Sequence, residues 1–344
     1  MTIKDLAFNT KKTKQMTKFY ITLSLLFVGN LVIGQQQASF TNFLINDYYY
    51  NPAIAGSKNV HVANMSYRNQ WAGFEGAPKT LMGNFYGSYR NKGKAGYGAS
   101  IISDKTGLTQ RTGVYLNYAQ HFKLSEKLKL GLGVQPGYIQ YRVKLYDAQL
   151  ADAGDEILTG NVLSANAIDF NAGFNLYSSK FFVMGSFNQL LGDQIKFTTY
   201  NAGLAMHYSI IGGYNFNVKK KFVLQPSFLL KYTNPTPLQW TAMIKGTYNK
   251  KIWAGLTYRS DDAASICAGY TFKERLNVGY AFDYSLSGIR KYQSGSHEIV
   301  ISFVLTKNKP SLDQKDEELN NSIMDEMKKK HEKEKENGKE EEEK

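Results

Sequence analysis

Five histidines (His61, His121, His207, His297, His331), one cysteine (Cys267) and an acidic run (Asp147, Asp152, Asp155, Glu156) are the natural candidates for metal or acid–base chemistry in this 344-residue chain. Their spacing supplies neither. No two histidines stand at ligand spacing, no cysteine cluster exists, and neither HExxH nor a nucleophile elbow occurs. The acidic run could attract calcium but lacks the twelve-residue EF-hand pattern, so a solvated loop is the better reading. Gly131-Leu132-Gly133 begins like a dinucleotide fingerprint, but the next glycine is Gly137, one position late, and the stretch alternates like a strand. The residues therefore predict a protein with no bond chemistry, no cofactor and no metal. One thiol makes no internal disulfide, so an exported domain of this chain must be held by its sheet.

Period-2 alternation dominates the elements. In "RLNVGYAFDYS", Val278, Tyr280, Phe282 and Tyr284 share one face, and Asn277, Gly279, Ala281 and Asp283 take the other. "KFVLQPSFLLKYT" and "KIWAGLTYRS" behave likewise. Strands are predicted near 59–68, 79–90, 95–104, 110–122, 127–143, 166–178, 180–189, 205–218, 222–233, 239–249, 251–260, 263–272, 275–285 and 296–306, about fourteen in all. Many run 10–12 residues, whereas globular strands are typically ~5–6 and a tilted bilayer-spanning strand needs ~9–11. The fold class expected is all-β: a transmembrane antiparallel outer-membrane β-barrel. Abundant Tyr (24), Phe (20) and Gly (30) with scarce Pro (7) suit that class.

Connections alternate between short polar turns ("NKGK", "SEK", "SSK", "KKK", "NKK", "KE") and mostly longer loops (69–78, 144–165, 190–204, 234–238, 286–295). Short turns belong on the periplasmic side and long loops outside, which places both termini in the periplasm. Residues 1–34 form a signal peptide: Lys11, Lys12, Lys14 and Lys18 precede the apolar run 19–28, and Gly34 offers a cleavage site. Residues 35–58 form a periplasmic or plug segment, 59–306 the barrel, and 307–344 a charged tail. The tail is either a solvated segment or a short partner-docking helix with Leu319, Ile323 and Met327 on one stripe. Net charge is +13; with +4 in the leader and −3 in the tail, the middle carries about +12. That balance suits anionic lipid or an acidic partner better than nucleic acid, for which no motif is present.

The stretch "YRNQWAGFEGAPKT" (67–80) sets two large aromatics among glycines in the first long loop. Closure of a barrel must pair its first and last strands, which brings this loop beside "YQSGSHE" (292–298). Arg68, Trp71, Phe74, Tyr292 and His297 are the candidates for a partner-binding patch, since Trp and Arg are frequent interface anchors. Trp71 and Phe74 suit an interfacial aromatic girdle equally well. Arg68, Gln225, Lys231 and Arg259 are candidates for a polar lumen.

"YNPAIAGS" (50–57), "YRNQWAGFEGAPKT", "SDKTG" (103–107), "PSFLLKY" (226–232), "YRSDDA" (258–263) and "GYAFDYSLSGIRKYQSGSHEI" (279–299) together resemble the PorP/SprF family of Bacteroidetes, over about 38–306. The resemblance implies an outer-membrane protein tied to the type IX secretion system. It also implies partners among other components of that system and a large surface adhesin whose secretion and anchoring it supports, including adhesins of gliding motility. The charged tail is outside the usual pattern. A general porin or small-solute channel is the alternative function, and a soluble secreted β-sandwich binding module a third.

Overall fold

The computed structural model describes residues 37–89, 93–144, 162–192, 194–196, 201–219 and 221–306. The signal peptide, most of the loop holding the acidic run and the charged tail lie outside the described residues.

The strands are β1 (His61–Asn69), β2 (Lys79–Ser88), β3 (Ala95–Thr106), β4 (Thr109–Lys123), β5 (Lys129–Lys144), β6 (Val162–Tyr177), β7 (Phe181–Asn188), β8 (Gln194–Lys196), β9 (Asn201–Gly203), β10 (His207–Tyr214), β11 (Phe216–Lys219), β12 (Phe222–Thr233), β13 (Gln239–Tyr248), β14 (Ile252–Arg259), β15 (Ala263–Phe272), β16 (Leu276–Ser285) and β17 (Ser296–Val304). Neighbours in sequence pair antiparallel. β10 pairs with both β7 and β12, and β1 pairs with β17, so the sheet closes. β10 and β11 are two parts of one staved strand, interrupted at Asn215, whose backbone N–H donates to Lys180 O. The result is a closed barrel of fourteen strands.

Two expectations need refinement. The 190–204 connection contains a separate two-stranded hairpin, β8 with β9, because a connection of that length can pair with itself. β6 begins at Val162 rather than near 166, because β5 reaches Lys144 and offers it a partner.

Alternation assigns the two faces. On β16, Tyr280 and Tyr284 are exposed outward, and Gly279, Ala281, Asp283 and Ser285 are buried inside. Outward-facing Met65, Ile101, Leu116, Ile168, Leu256 and Ile266 are each more than half exposed, as lipid-facing side chains of a barrel are in the absence of lipid.

The core of this barrel is its own preceding segment. Residues 37–57, with a single helical turn α1 (Asp47–Tyr50) and a 3₁₀ turn at Pro52–Ile54, run through the lumen. Phe40, Phe43, Tyr48, Tyr50 and Ile54 are buried there. The segment starts among the long loops, where Gln37 O accepts from Lys231 Nζ, and ends among the short turns, where Ala55 O meets His121. Thr306 is also at the turn end, its hydroxyl accepting from His61 N. Among the described residues, Gln37 and Thr306 therefore lie at opposite ends of the barrel. An even strand count puts the start of β1 and the end of β17 on one face, and the lumen is traversed once before β1 begins.

Candidate functional site

The loop end of the lumen is closed by charge. Arg68, inward on β1, sits beside Glu298 in the β1–β17 register, and inward Asp283 comes from neighbouring β16. Arg68 Nη2 donates to Asp283 Oδ2 at 2.6 Å and Nη1 to Glu298 Oε2 at 3.3 Å. Arg259, at the end of β14, donates to Asp262 Oδ2 at 2.8 Å and lies 3.6 Å from Asp283. Arg68, Arg259, Asp283 and Glu298 are all at most 2% exposed. Such burial is tolerable only because each ion is paired and hydrogen-bonded.

Thr41 of the lumenal segment is the hub of this cluster. Its hydroxyl donates to Asp283 Oδ1 at 2.6 Å and accepts from Arg68 and Arg259, each at 3.2 Å. Its N–H and that of Asn42 donate to the two Glu298 carboxylate oxygens at 2.7 and 3.1 Å. Backbone donors to a carboxylate are charge-assisted and directional, so the wall grips the segment by its main chain. Beside the cluster, Gln37, Tyr50, His207, Lys231 and Gln239 are among the residues lining a small pocket at the mouth.

The turn end is closed by shape. Tyr48 stacks on Tyr86 with ring centroids 4.4 Å apart. Asn51 Nδ2 donates to the carbonyls of Phe174 and Gly185, at 2.8 and 2.9 Å, reaching between β6 and β7. His121 Nε2 is 2.7 Å from Ala55 O, and its Nδ1 is 3.1 Å from the Tyr177 hydroxyl. A Cβ at Gly96 would stand 2.0 Å from Ala55 O, so only glycine lets the segment lie against β3 there.

The residues expected to form one contact patch are divided by the pleat. Arg68 points into the lumen and belongs to the ionic cluster. His297 points outward, its Nδ1 2.7 Å from the outward Tyr280 hydroxyl. Trp71 is half-buried with a left-handed backbone (φ 51°), and Phe74 is 44% and Tyr292 69% exposed. The two loops are joined: Trp71 N donates to Ser296 Oγ, Ala72 N to Gly295 O and Ser294 N to Ala72 O. Of the expected lumen residues, Arg68, Lys231 and Arg259 gather at the loop end, while Gln225 lies far along β12 toward the turns.

Sequence reasoning singled out neither Glu298 nor Thr41. Glu298 leaves a signal: in "SHEIVISFV" it shares a face with Ser296 and Val300, opposite Ile299 and Ile301. Thr41 leaves none, since it precedes the strands. The acidic run at 147–156 lies outside the described residues. Among those described, no group of three metal-ligating side chains occurs.

A closed antiparallel barrel with an apolar outer wall and an interior filled by both polar and apolar side chains defines an outer-membrane-type β-barrel protein. The chain matches the family model for type IX secretion system membrane proteins PorP/SprF over residues 32–303, and it belongs to that family. No curated protein matches it. Among solved structures it is similar to the CymD monoaromatic hydrocarbon channel (10% identity, 75% of this chain and 91% of that one, TM-score 0.46). It is also similar to the toluene transporter TbuX of Ralstonia pickettii (11% identity, 74% and 92%, TM-score 0.46) and the outer membrane protein Omp33 of Acinetobacter baumannii (8%, 73% and 100%, TM-score 0.42).

Proposed function

We propose that this barrel works by protein contact at the outer membrane, supporting the secretion and surface anchoring of a large adhesin, with gliding as the process served. It catalyses no reaction in this reading. The observation that carries it, beside family membership, is that the lumen holds the chain's own segment 37–57, gripped at the loop end by the Thr41 cluster. A filled lumen suits a docking scaffold better than a diffusion channel. The joined loops 70–78 and 286–295 offer the contact, with Phe74 and Tyr292 exposed on them. Long loops face the cell exterior and short turns the periplasm, where the other secretion components are met.

Affinity purification of the full chain in mild detergent should bring down a surface adhesin. The double change Trp71→Ala and Phe74→Ala should lose that partner while heat-modifiable barrel stays in the membrane, because removing a buried anchor costs at least ~2 kcal/mol of binding, about thirtyfold. Unchanged surface adhesin at normal barrel levels would sink the contact site. A general porin, the alternative, must conduct in a planar bilayer; the purified chain is expected to be silent.

A further inference from the structure

The turn end of the barrel carries a crown of ammonium groups. Lys94, Lys127, Lys180, Lys221, Lys250 and Lys273 stand one in each of the six short turns, spaced round the whole circumference, and every one is exposed. Acidic residues in the described parts of these turns are Glu126, 3.0 Å from Lys123, and Glu274. The loop end mixes signs: Glu75, Asp261 and Asp262 stand there among Lys79, Lys105, Arg142, Arg290 and Lys291.

Two turns show that lysine is placed against conformational preference. Asn249–Lys250 and Lys273–Glu274 are the central pairs of two-residue hairpin turns, closed by Lys251 N to Tyr248 O and Arg275 N to Phe272 O. All four residues have positive φ (50°, 55°, 47° and 56°), where glycine sits without strain and lysine does not. Turns so short cannot project far from the wall. The strands meeting them carry outward aromatics at their ends, including Tyr97, Phe122, Phe216, Tyr248 and Phe272, the level at which barrel girdles meet the headgroups. Short turns keep the ammonium groups close to this aromatic level.

We infer that this crown binds the phosphates of anionic phospholipid in the leaflet on the turn side. Each turn holds one or two headgroups, and the ring fixes the depth of the barrel by charge where the girdle fixes it by hydrophobicity. The inference rests on the barrel fold and is independent of the adhesin reading.

The test is native mass spectrometry of the full chain released from neutral detergent containing equal phosphatidylglycerol and phosphatidylcholine. The wild type should retain phosphatidylglycerol preferentially, by roughly fivefold for each lysine engaged. K180Q/K250Q/K251Q/K273Q should lower that preference by at least roughly fivefold, and the loop-end control K79Q/K105Q/K291Q should leave it intact. Lys250→Gly and Lys273→Gly relieve the turn strain while removing charge. They should lower the preference without lowering the unfolding temperature, and they serve if the fourfold variant fails to assemble. No preference in the wild type, or equal loss in the loop-end control, overturns the proposal. So does displacement by millimolar inorganic phosphate, which would mark a free-anion site. A preference that appears only when the chain is cut after Thr306 would show the acidic tail as the occupant, and that too overturns it.

Discussion

The two ends of the lumen are closed by the same segment, residues 37–57, through different physics. At the loop end, four buried ions from β1, β14, β16 and β17 converge on one threonine and two backbone N–H groups. At the turn end, an aromatic stack, an asparagine between two strands and a glycine notch fit the chain by shape. Closure by ions is directional and specific but depends on every partner. Closure by shape is spread over many contacts and is sensitive to added volume.

The largest expected effect breaks the first kind. Arg68→Ala leaves Glu298 without its counter-ion and Asp283 with Arg259 alone, and removing one member of a buried ion pair costs about 3–5 kcal/mol. The denaturant midpoint of the unheated barrel in detergent should fall accordingly. Pairing Arg68→Met with Glu298→Gln should restore part of the loss, since the uncompensated charge is gone. An equal loss in the double variant would mean that shape, not charge, dominates at this end too.

The second kind breaks by overfilling. Gly96→Ala forces a Cβ against Ala55 O, and overpacking of this sort costs roughly 1–3 kcal/mol. The loss should be read as proteolysis near Ser57 at a barrel that still migrates as folded. A silent Gly96→Ala would show the segment free to shift away from β3.

Thr41→Val sharpens the comparison by removing the hub alone. The wall ions keep one another and Glu298 keeps its backbone donors, but Arg68, Arg259 and Asp283 each lose a hydrogen bond worth ~0.5–1 kcal/mol net, so a loss of about 2 kcal/mol is expected. A drop as large as that of Arg68→Ala would move the hub from the segment's anchor to the cluster's support.

The smallest effect is on accessibility. In a Cys267→Ser background, Ala38→Cys should react with a membrane-impermeant thiol reagent from the same side as a cysteine at Leu238, and Thr306→Cys from the opposite side. Labelling of Ala38→Cys and Thr306→Cys from one side would reverse the threading of residues 37–57.

The wall was legible in the sequence because a barrel strand has a period of two and a length set by the bilayer. β16 illustrates this: Asp283 opposite Tyr280 and Phe282 assigns both faces without coordinates. The alternation of turns and loops likewise called for an even strand number, about fourteen, with sequence neighbours paired antiparallel. What the sequence leaves open is decided by closure. Residues 37–57 have neither strand period nor helical stripe of useful length, so nothing local says that they enter the lumen or in which direction. Their partners, from Lys231 to Glu298, are assembled only when β1 meets β17. Arg68 shows the limit most clearly. The sequence offers it both to a surface patch with Trp71 and Phe74 and to the lumen, and the pleat of β1 paired with β17 sets its guanidinium among the ions inside. Periodicity is a property of the chain alone and can be read from it. The meeting of charges from β1, β14, β16, β17 and a segment that precedes them all is a property of the closed sheet.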